Sequence, residues 1–515
     1  MHLPPRMADV RAHNGQENMR KTLVLITAAV FSAGLYAAVQ DYGRTTAGPK
    51  ATVAATPVSR HVRAAAGRGS ASSPNIILVI IDTMRRDHAG LYGYGRKTTP
   101  VIDSLAADGM AAEHAVAQAP WTAPSVASMF TSRYPSVAGA GAVESVSGVR
   151  DNDKRMPGKL GESAFTLAEA LQEGGYYTGC VQTNIFASDE FGMLQGFQKK
   201  LKGAYNADKV VNLGNRFMDH AASSAGPRRK PFFLLLHFMD LHYPVYPPPP
   251  YDGIFPVRDG KPHKKEHHGW MYSAGDGLGS EEFMDYRSHR VALYDGALSY
   301  VDSQLGRLVG HLKEAGLYEN TVIVIAADHG EEFWDHAELE KELMPNPHAE
   351  YGVGHGHTMF GELLDVPLVF HGPGVPVGSK VSFARNLDIM PTILGLAGLD
   401  ASGLGLEGVD MLKPTGPGHV GDGLAFSEDI NCGYEMKAVQ EGRYKYIRGR
   451  GFALLYDREA DPEETADISG REPALARRMD GRLAAVLAGM KPRERKSAAC
   501  LPGARDALHS LGYLQ

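Results

Sequence analysis

Cysteine is scarce: Cys180, Cys432 and Cys500 are the three in 515 residues. They are widely spaced and form no Cys-x-x-Cys pair, which excludes a thiolate zinc knuckle and a disulfide framework and leaves room for one disulfide if the chain is exported. Charge of one sign is scarce too. Lys and Arg number 53 against 59 Asp and Glu, a net charge of -6, with a pI near 6.4, so nothing points to a nucleic-acid partner. No internal repeat recurs. What the chain does have is 43% hydrophobic and 22% charged residues, enough for a large core in the ordinary globular range.

Two apolar runs end on an acidic residue: Asn75-IILVII-Asp82 and Thr321-VIVIAA-Asp328-His329-Gly330. A third, Pro231-FFLLL-His237, ends on histidine and is followed by Asp240 and His242. Continuous Val/Ile/Leu runs of this kind read as strands buried on both faces, as in parallel α/β sheets. Ligands of such sheets bind outside the carboxyl ends of the strands. Carboxylates and imidazoles converging there need a cation between them, which points to a metal-dependent enzyme.

At the N-terminus, Met19-Arg20-Lys21 precedes an uncharged stretch over residues 22–39. A positive flank, an apolar centre and small residues such as Ala37 and Ala38 predict a secretory signal or an uncleaved anchor. Residues 1–40 are therefore expected to be a signal or anchor segment, and 41–74, rich in Ala, Ser, Gly and Arg, a flexible linker. This predicts a protein that is secreted, or membrane-anchored and facing the periplasm or the cell exterior. From Asn75 strands alternate with amphipathic helices at 99–110, 164–175 and 293–316. That pattern predicts an α/β fold with a large mixed, mostly parallel sheet sandwiched by helices over residues 75–416. Residues 243–290 read as a long excursion whose Lys261-PHKKEHHGW stretch is a solvated loop or a collector of anions. Shorter patterning from 417 to 515, with strands near Tyr444 and Phe452 and a helix near Ala474, predicts a small α+β subdomain.

Pro120-WTAPSVASMFTSRYPS holds the nucleophile candidate. Pro124 is tolerated in a first helical turn, which would place Thr122 at the N-cap. Free backbone N–H groups and the helix dipole favour negative charge there. The competing expectation is that Thr122 only caps the helix, at about 1 kcal/mol.

Seven segments in order resemble the sulfatase branch of the alkaline phosphatase superfamily over roughly residues 75–460. They are Asn75-IILVIIDTMRRDHAGLYGYG, Trp121-TAPSVASMFTSRYPS, Phe233-LLLHFMDLHYP, Ala327-DHGEEFWDH, Gly354-HGHTMFGELLDVPLVFHGPG, Leu387-DIMPTILGLAG and Leu455-YDREADPEE. The resemblance implies an alkaline phosphatase-like fold, a divalent metal ion (Zn, Mn or Ca) held by Asp82, Thr122, Asp328, His329 and His355, and an anionic sulfate or phosphate ester as substrate. Thr122 takes the nucleophile position, His242 that of a histidine on the transferred group or a second metal, and His357 stands where many sulfatases carry lysine. Three catalytic positions are thus expected: Thr122, His242 and His357.

One departure matters. Formylglycine sulfatases read Cys/Ser-x-Pro-x-Arg, and here the match is Thr122-Ala-Pro-Ser-Val126. Threonine cannot become the aldehyde, and a threonine ester must be discharged by water or another acceptor. The pattern is in this respect similar to threonine-dependent phosphoethanolamine and phosphoglycerol transferases. The leading expectation is a metal-dependent hydrolase or transferase of phosphate mono- or diesters acting through Thr122. The alternatives are a sulfuric ester hydrolase working without formylglycine and a catalytically inactive binding or scaffold protein. The sequence leaves oligomeric state open.

Overall fold

The computed structural model describes residues 62–64, 73–143, 156–223, 230–260, 277–343, 352–413 and 423–493. The 22–39 apolar run, the Lys261–Trp270 stretch and Cys500 lie outside them. Among the described residues no helix is long and apolar enough to cross a membrane, and Cys180 and Cys432 are free thiols.

Three apolar runs become the centre of an eight-stranded sheet: Asn75–Ile81, Phe232–Phe238 and Thr321–Ala326 are buried at every position. Residues apolar on both faces of a strand can be satisfied only between two covering layers. From one edge the strands run Ser379–Val381, Met110–Ala112, Leu368–His371, Thr321–Ala326, Asn75–Ile81, Phe232–Phe238, Tyr177–Gln182 and Lys199–Lys202. Only Leu368–His371 is antiparallel to its neighbours, so the sheet is mixed and mostly parallel.

Helices cover this sheet. Ala207–Ser223 packs on Phe232–Phe238 and on the long helix Glu281–Glu314, which also meets Pro100–Ala107. Thr122–Thr131 packs with Ile389–Leu396 and Leu167–Glu173. Local chemistry fixes the helix starts. Thr166 and Glu169 form a reciprocal capping box, and the Ser280 hydroxyl accepts from the Phe283 N–H. Asp302 reaches across to accept from Val101 and Ile102, both at 2.9 Å, supplying the cap that Thr99 does not. The helix expected from residue 293 begins twelve residues earlier. Its first turns are too rich in charge and Arg/His for an apolar period to show, and they shorten the expected excursion over 243–290.

A second sheet, Leu424–Ser427, Lys437–Glu441, Tyr444–Arg448 and Ala453–Asp457, is an antiparallel meander. Helix Pro473–Gly489 closes it through Met479 and Leu483 against Phe426, Val439 and Leu455. Between its first two strands the chain returns to the main sheet's edge. There Trp121 Nε1 donates to the Asp429 carbonyl at 2.6 Å, and Asn431 N donates to the Gly356 carbonyl at 2.7 Å.

Candidate active site

Register determines what meets. Ile80 is paired with His237 on one side and Ala326 on the other, and Gln182 follows Val181, which pairs with Leu236. The residues at the carboxyl ends of these four strands therefore share one edge. Asp82 and Asp328 are each fully buried there. The turn after Asp82 is held by Thr83, whose left-handed φ of 60° is fixed by its hydroxyl donating to the Asp82 carbonyl and by Tyr294 Oη donating to its own carbonyl, both at 2.7 Å. After Asp328 the chain needs glycine, because a Cβ on Gly330 would lie 1.8 Å from the Glu362 carbonyl oxygen.

Two histidines present lone pairs to these carboxylates. His329 Nδ1 lies 2.9 Å from the Gly330 carbonyl and must donate to it, so in the neutral ring Nε2 is an acceptor. That atom is 3.4 Å from Asp328 Oδ2 and 3.7 Å from Asp82 Oδ1. Burial holds His329 below the usual imidazole value, favouring the neutral ring. His237 follows the same logic. Gln182 gives its amide N–H groups to the carbonyls of Ala187 (2.7 Å) and Asn184 (3.3 Å), leaving Oε1 to accept from His237 Nδ1 at 2.7 Å. His237 Nε2 then faces Asp82 Oδ2 at 3.2 Å.

This arrangement fits a divalent cation. Asp82 Oδ1, Asp328 Oδ2 and His237 Nε2 are buried with no hydrogen-bond partner, and ligand atoms of Asp82, Asp328 and His329 lie within 4.8 Å of one another. Buried acceptors left without a donor are costly unless a cation lies among them. Without one, burial and the Asp82 charge push the Asp328 carboxyl well above the ordinary carboxylate range. Burial also opposes ionisation of Asp82, but the imidazoles of His237, His242 and His329 around it favour the charged form and hold it below the ordinary carboxylate range.

Thr122 stands against this group. It is the first residue of the Thr122–Thr131 helix rather than its N-cap, a position taken by Trp121, and its side chain makes no capping bond. The expected N-cap placement is thus corrected by one residue, and the capping role falls away. Thr122 Oγ1 is instead 3.3 Å from His329 Nε2 and accepts from Asn184 Nδ2 at 3.1 Å. The same Asn184 amide donates to Asp82 Oδ2 at 2.7 Å, and its Oδ1 accepts from Phe186 N at 2.9 Å, which fixes its orientation. Val126, in place of the arginine that supports formylglycine, is fully buried in the core.

The remaining histidines divide. His355 lies with its ring centroid 4.5 Å from that of His329 and 5.0 Å from that of His242. Burial lowers its pKa, and its Nδ1 is 3.3 Å from Glu331. His242 Nδ1 donates to the Tyr243 carbonyl at 2.6 Å, leaving Nε2 available. His357 is engaged elsewhere: its Nε2 sits 3.0 Å from Glu332 and 3.4 Å from Glu340. Asp240, at the end of the same apolar run, caps the Ala207–Ser223 helix. Sequence reasoning passed over Gln182 and Asn184, because Val181-Gln-Thr-Asn184 at the end of a fourth strand carries no charge. The signal available was that strand's position in the alternation.

The family model described as Sulfatase matches residues 74–399. The chain belongs to the sulfatase family. A sulfatase of Formosa agariphila is 24% identical over 438 residues, 76% of this chain and 82% of that protein. The crystal structure of a phosphonate monoester hydrolase of Agrobacterium radiobacter matches with a TM-score of 0.59 at 20% identity, over 81% of this chain and 95% of that one. A structure in complex with its substrate D-glucosamine-2-N,6-O-disulfate matches with a TM-score of 0.62 at 17% identity, over 81% and 97%. At these identities the solved structures carry the fold alone. This sulfatase-family chain pairs that fold with buried acidic and imidazole groups that could hold a metal.

Proposed function

We propose that this sulfatase-family protein is a metal-dependent hydrolase or transferase of phosphate esters, with Thr122 as nucleophile. The observation that carries the reading is the Thr122 hydroxyl, free of any capping bond, aimed at His329 beside two buried carboxylates. Asp82, Asp328, His329 and His237 would hold the cation, with Thr122 Oγ1 beside them. A divalent cation there supplies Lewis-acid stabilisation of charge and lowers the pKa of a bound hydroxyl.

The protein's own groups divide the remaining work. Asn184 holds Thr122 Oγ1 in place for in-line attack and stabilises negative charge on it. The N–H groups of the helix's first turn face charge that develops on the transferred group. The Oγ1–P bond forms as the bond from phosphorus to the leaving oxygen breaks; His242 or His355 takes the Thr122 hydroxyl proton and returns it to that oxygen. Attack of water or an alcohol on phosphorus then releases Thr122. His357, paired with Glu332 and Glu340, takes no part. Mixed oxygen and nitrogen donors favour Zn or Mn over Ca.

A second reading, sulfate-ester hydrolysis without formylglycine, is favoured by the sulfatase relatives and by the disulfated sugar named for one structural neighbour. We place the protein outside the cytoplasm on the strength of the residue 22–39 run. The test supplies the purified protein with Zn, Mn and Ca in turn and compares aryl phosphate, a phosphodiester and aryl sulfate. Phosphoester turnover that vanishes in Thr122→Ala supports the proposal. Sulfate turnover lost in that variant selects the second reading, and silence on all three without bound metal leaves a binding protein.

A further inference from the structure

Five residues after Ala327 the chain carries Glu332, one of a group of buried carboxylates whose partners are unevenly shared. Four carboxylates, from Glu332, Glu340, Glu362 and Glu464, are each 5% exposed or less. Lys445 Nζ lies 2.8 Å from Glu464, and Arg458 pairs with both Glu464 and Asp365. His336 serves Glu362, with Nδ1 2.7 Å from its carboxylate, while His336 Nε2 donates to the Glu464 carbonyl at 3.1 Å. Both His336 nitrogens are therefore occupied, and that ring offers no lone pair. Glu332 and Glu340 are left to share one imidazole, His357.

Their geometry is that of prepared ligands. Glu332 Oε1 accepts from His336 N at 2.9 Å, and Glu340 Oε2 accepts from Gly352 N at 3.0 Å. Each carboxylate is thus anchored by a backbone N–H through one oxygen, and its other oxygen turns to His357 Nε2, at 3.0 and 3.4 Å. The three ligand atoms lie within 4.8 Å of one another. Glu340 Oε1 is buried with no hydrogen-bond partner in a residue 1% exposed. One N–H cannot serve two carboxylate oxygens well, whereas a cation in its place would satisfy all three donors at once. Outer oxygens tied to backbone are the kind of support that orients metal ligands.

We propose that Glu332, Glu340 and His357 form a second divalent-cation site, separate from the group at Thr122. One imidazole and two carboxylates with an open position suit zinc. Two carboxylates and a neutral imidazole around a dication are charge-balanced. The site joins two catalytic segments, because Glu332 follows His329 by three residues and His357 follows His355 by two. A cation here fixes the spacing between the segments that carry those histidines.

The test uses the full-length protein, produced with excess zinc and gel-filtered, with metal per chain measured by inductively coupled plasma mass spectrometry. Glu340→Gln and the Asp82→Asn/Asp328→Asn pair are measured separately and combined. Glu340→Gln should hold one equivalent less than the wild type, and the triple variant one less than the double variant. Equal zinc in Glu340→Gln and the wild type would overturn the proposal, as would a double variant with no zinc. Metal lost in Glu340→Gln alone would support this site while removing the one at Thr122; the reverse would remove only this one. If Glu340→Gln does not fold, zinc K-edge absorption on the double variant decides. A first shell of oxygens with a single imidazole supports the site, and two or more imidazoles overturn it.

Discussion

Thr122 is buried and contributes no helix cap, so removing its hydroxyl should leave the fold intact while ending catalysis. Thr122→Ala is expected to lower kcat by at least about a thousandfold with an unchanged melting temperature. A variant that stays within tenfold of wild type would remove Thr122 from the chemistry. Asn184 is the next most informative residue, because one amide serves both Thr122 and Asp82. Asn184→Ala should cost about a hundredfold in kcat with little change in KM, since an amide holding the reacting oxygen acts mainly in the transition state. Gln182 acts through His237. Gln182→Leu frees that ring to turn and should weaken metal affinity about 10- to 100-fold, measurable by competition with a chelator.

At the scale of elements, the apolar strands and the acidic residues at their ends were legible, because a run buried on both faces needs no periodicity beyond its own length. Asp82 and Asp328 could be placed at one edge for that reason. The surroundings of His357 were not legible, since its Nε2 lies against Glu332 and against Glu340, a helical residue seventeen positions away whose approach no local pattern encodes. Likewise Thr122 could be placed near a helix start, but only the backbone shows whether its hydroxyl turns back to cap or outward to His329. The Asp328–Gly330 turn depends on close approach: Gly330→Ala would drive a methyl into the Glu362 carbonyl. It should cost about 1–3 kcal/mol and depress activity with it, by denaturant melts and turnover together. In the second sheet, Lys445 is buried against Glu464. Lys445→Met leaves Arg458 as the cation facing that carboxylate and should cost about 1–3 kcal/mol, whereas an unchanged melt would show the pair to be dispensable.

For the whole molecule, pH acts through the buried ionic cluster. Burial opposes the charge on His336, but Glu362, with help from Glu332 and Glu464, lifts its pKa to about 9. A histidine held above its unfolded value near 6.5 gives stability that is fully present below that value and lost as pH rises through about 9. Melting temperatures should therefore fall between about pH 7 and about pH 9, and His336→Gln should flatten that slope. The resemblance carried the family and the main sheet. The proposed chemistry rests on threonine standing where a formylglycine precursor would, which changes what must follow attack. That difference can be read directly by mixing the metal-loaded protein with an aryl phosphate, quenching in acid during turnover, and mapping the modified peptide by mass spectrometry. The account predicts phosphothreonine at Thr122 that disappears in Thr122→Ala. Steady phosphoester turnover with Thr122 unmodified at every time point would contradict it.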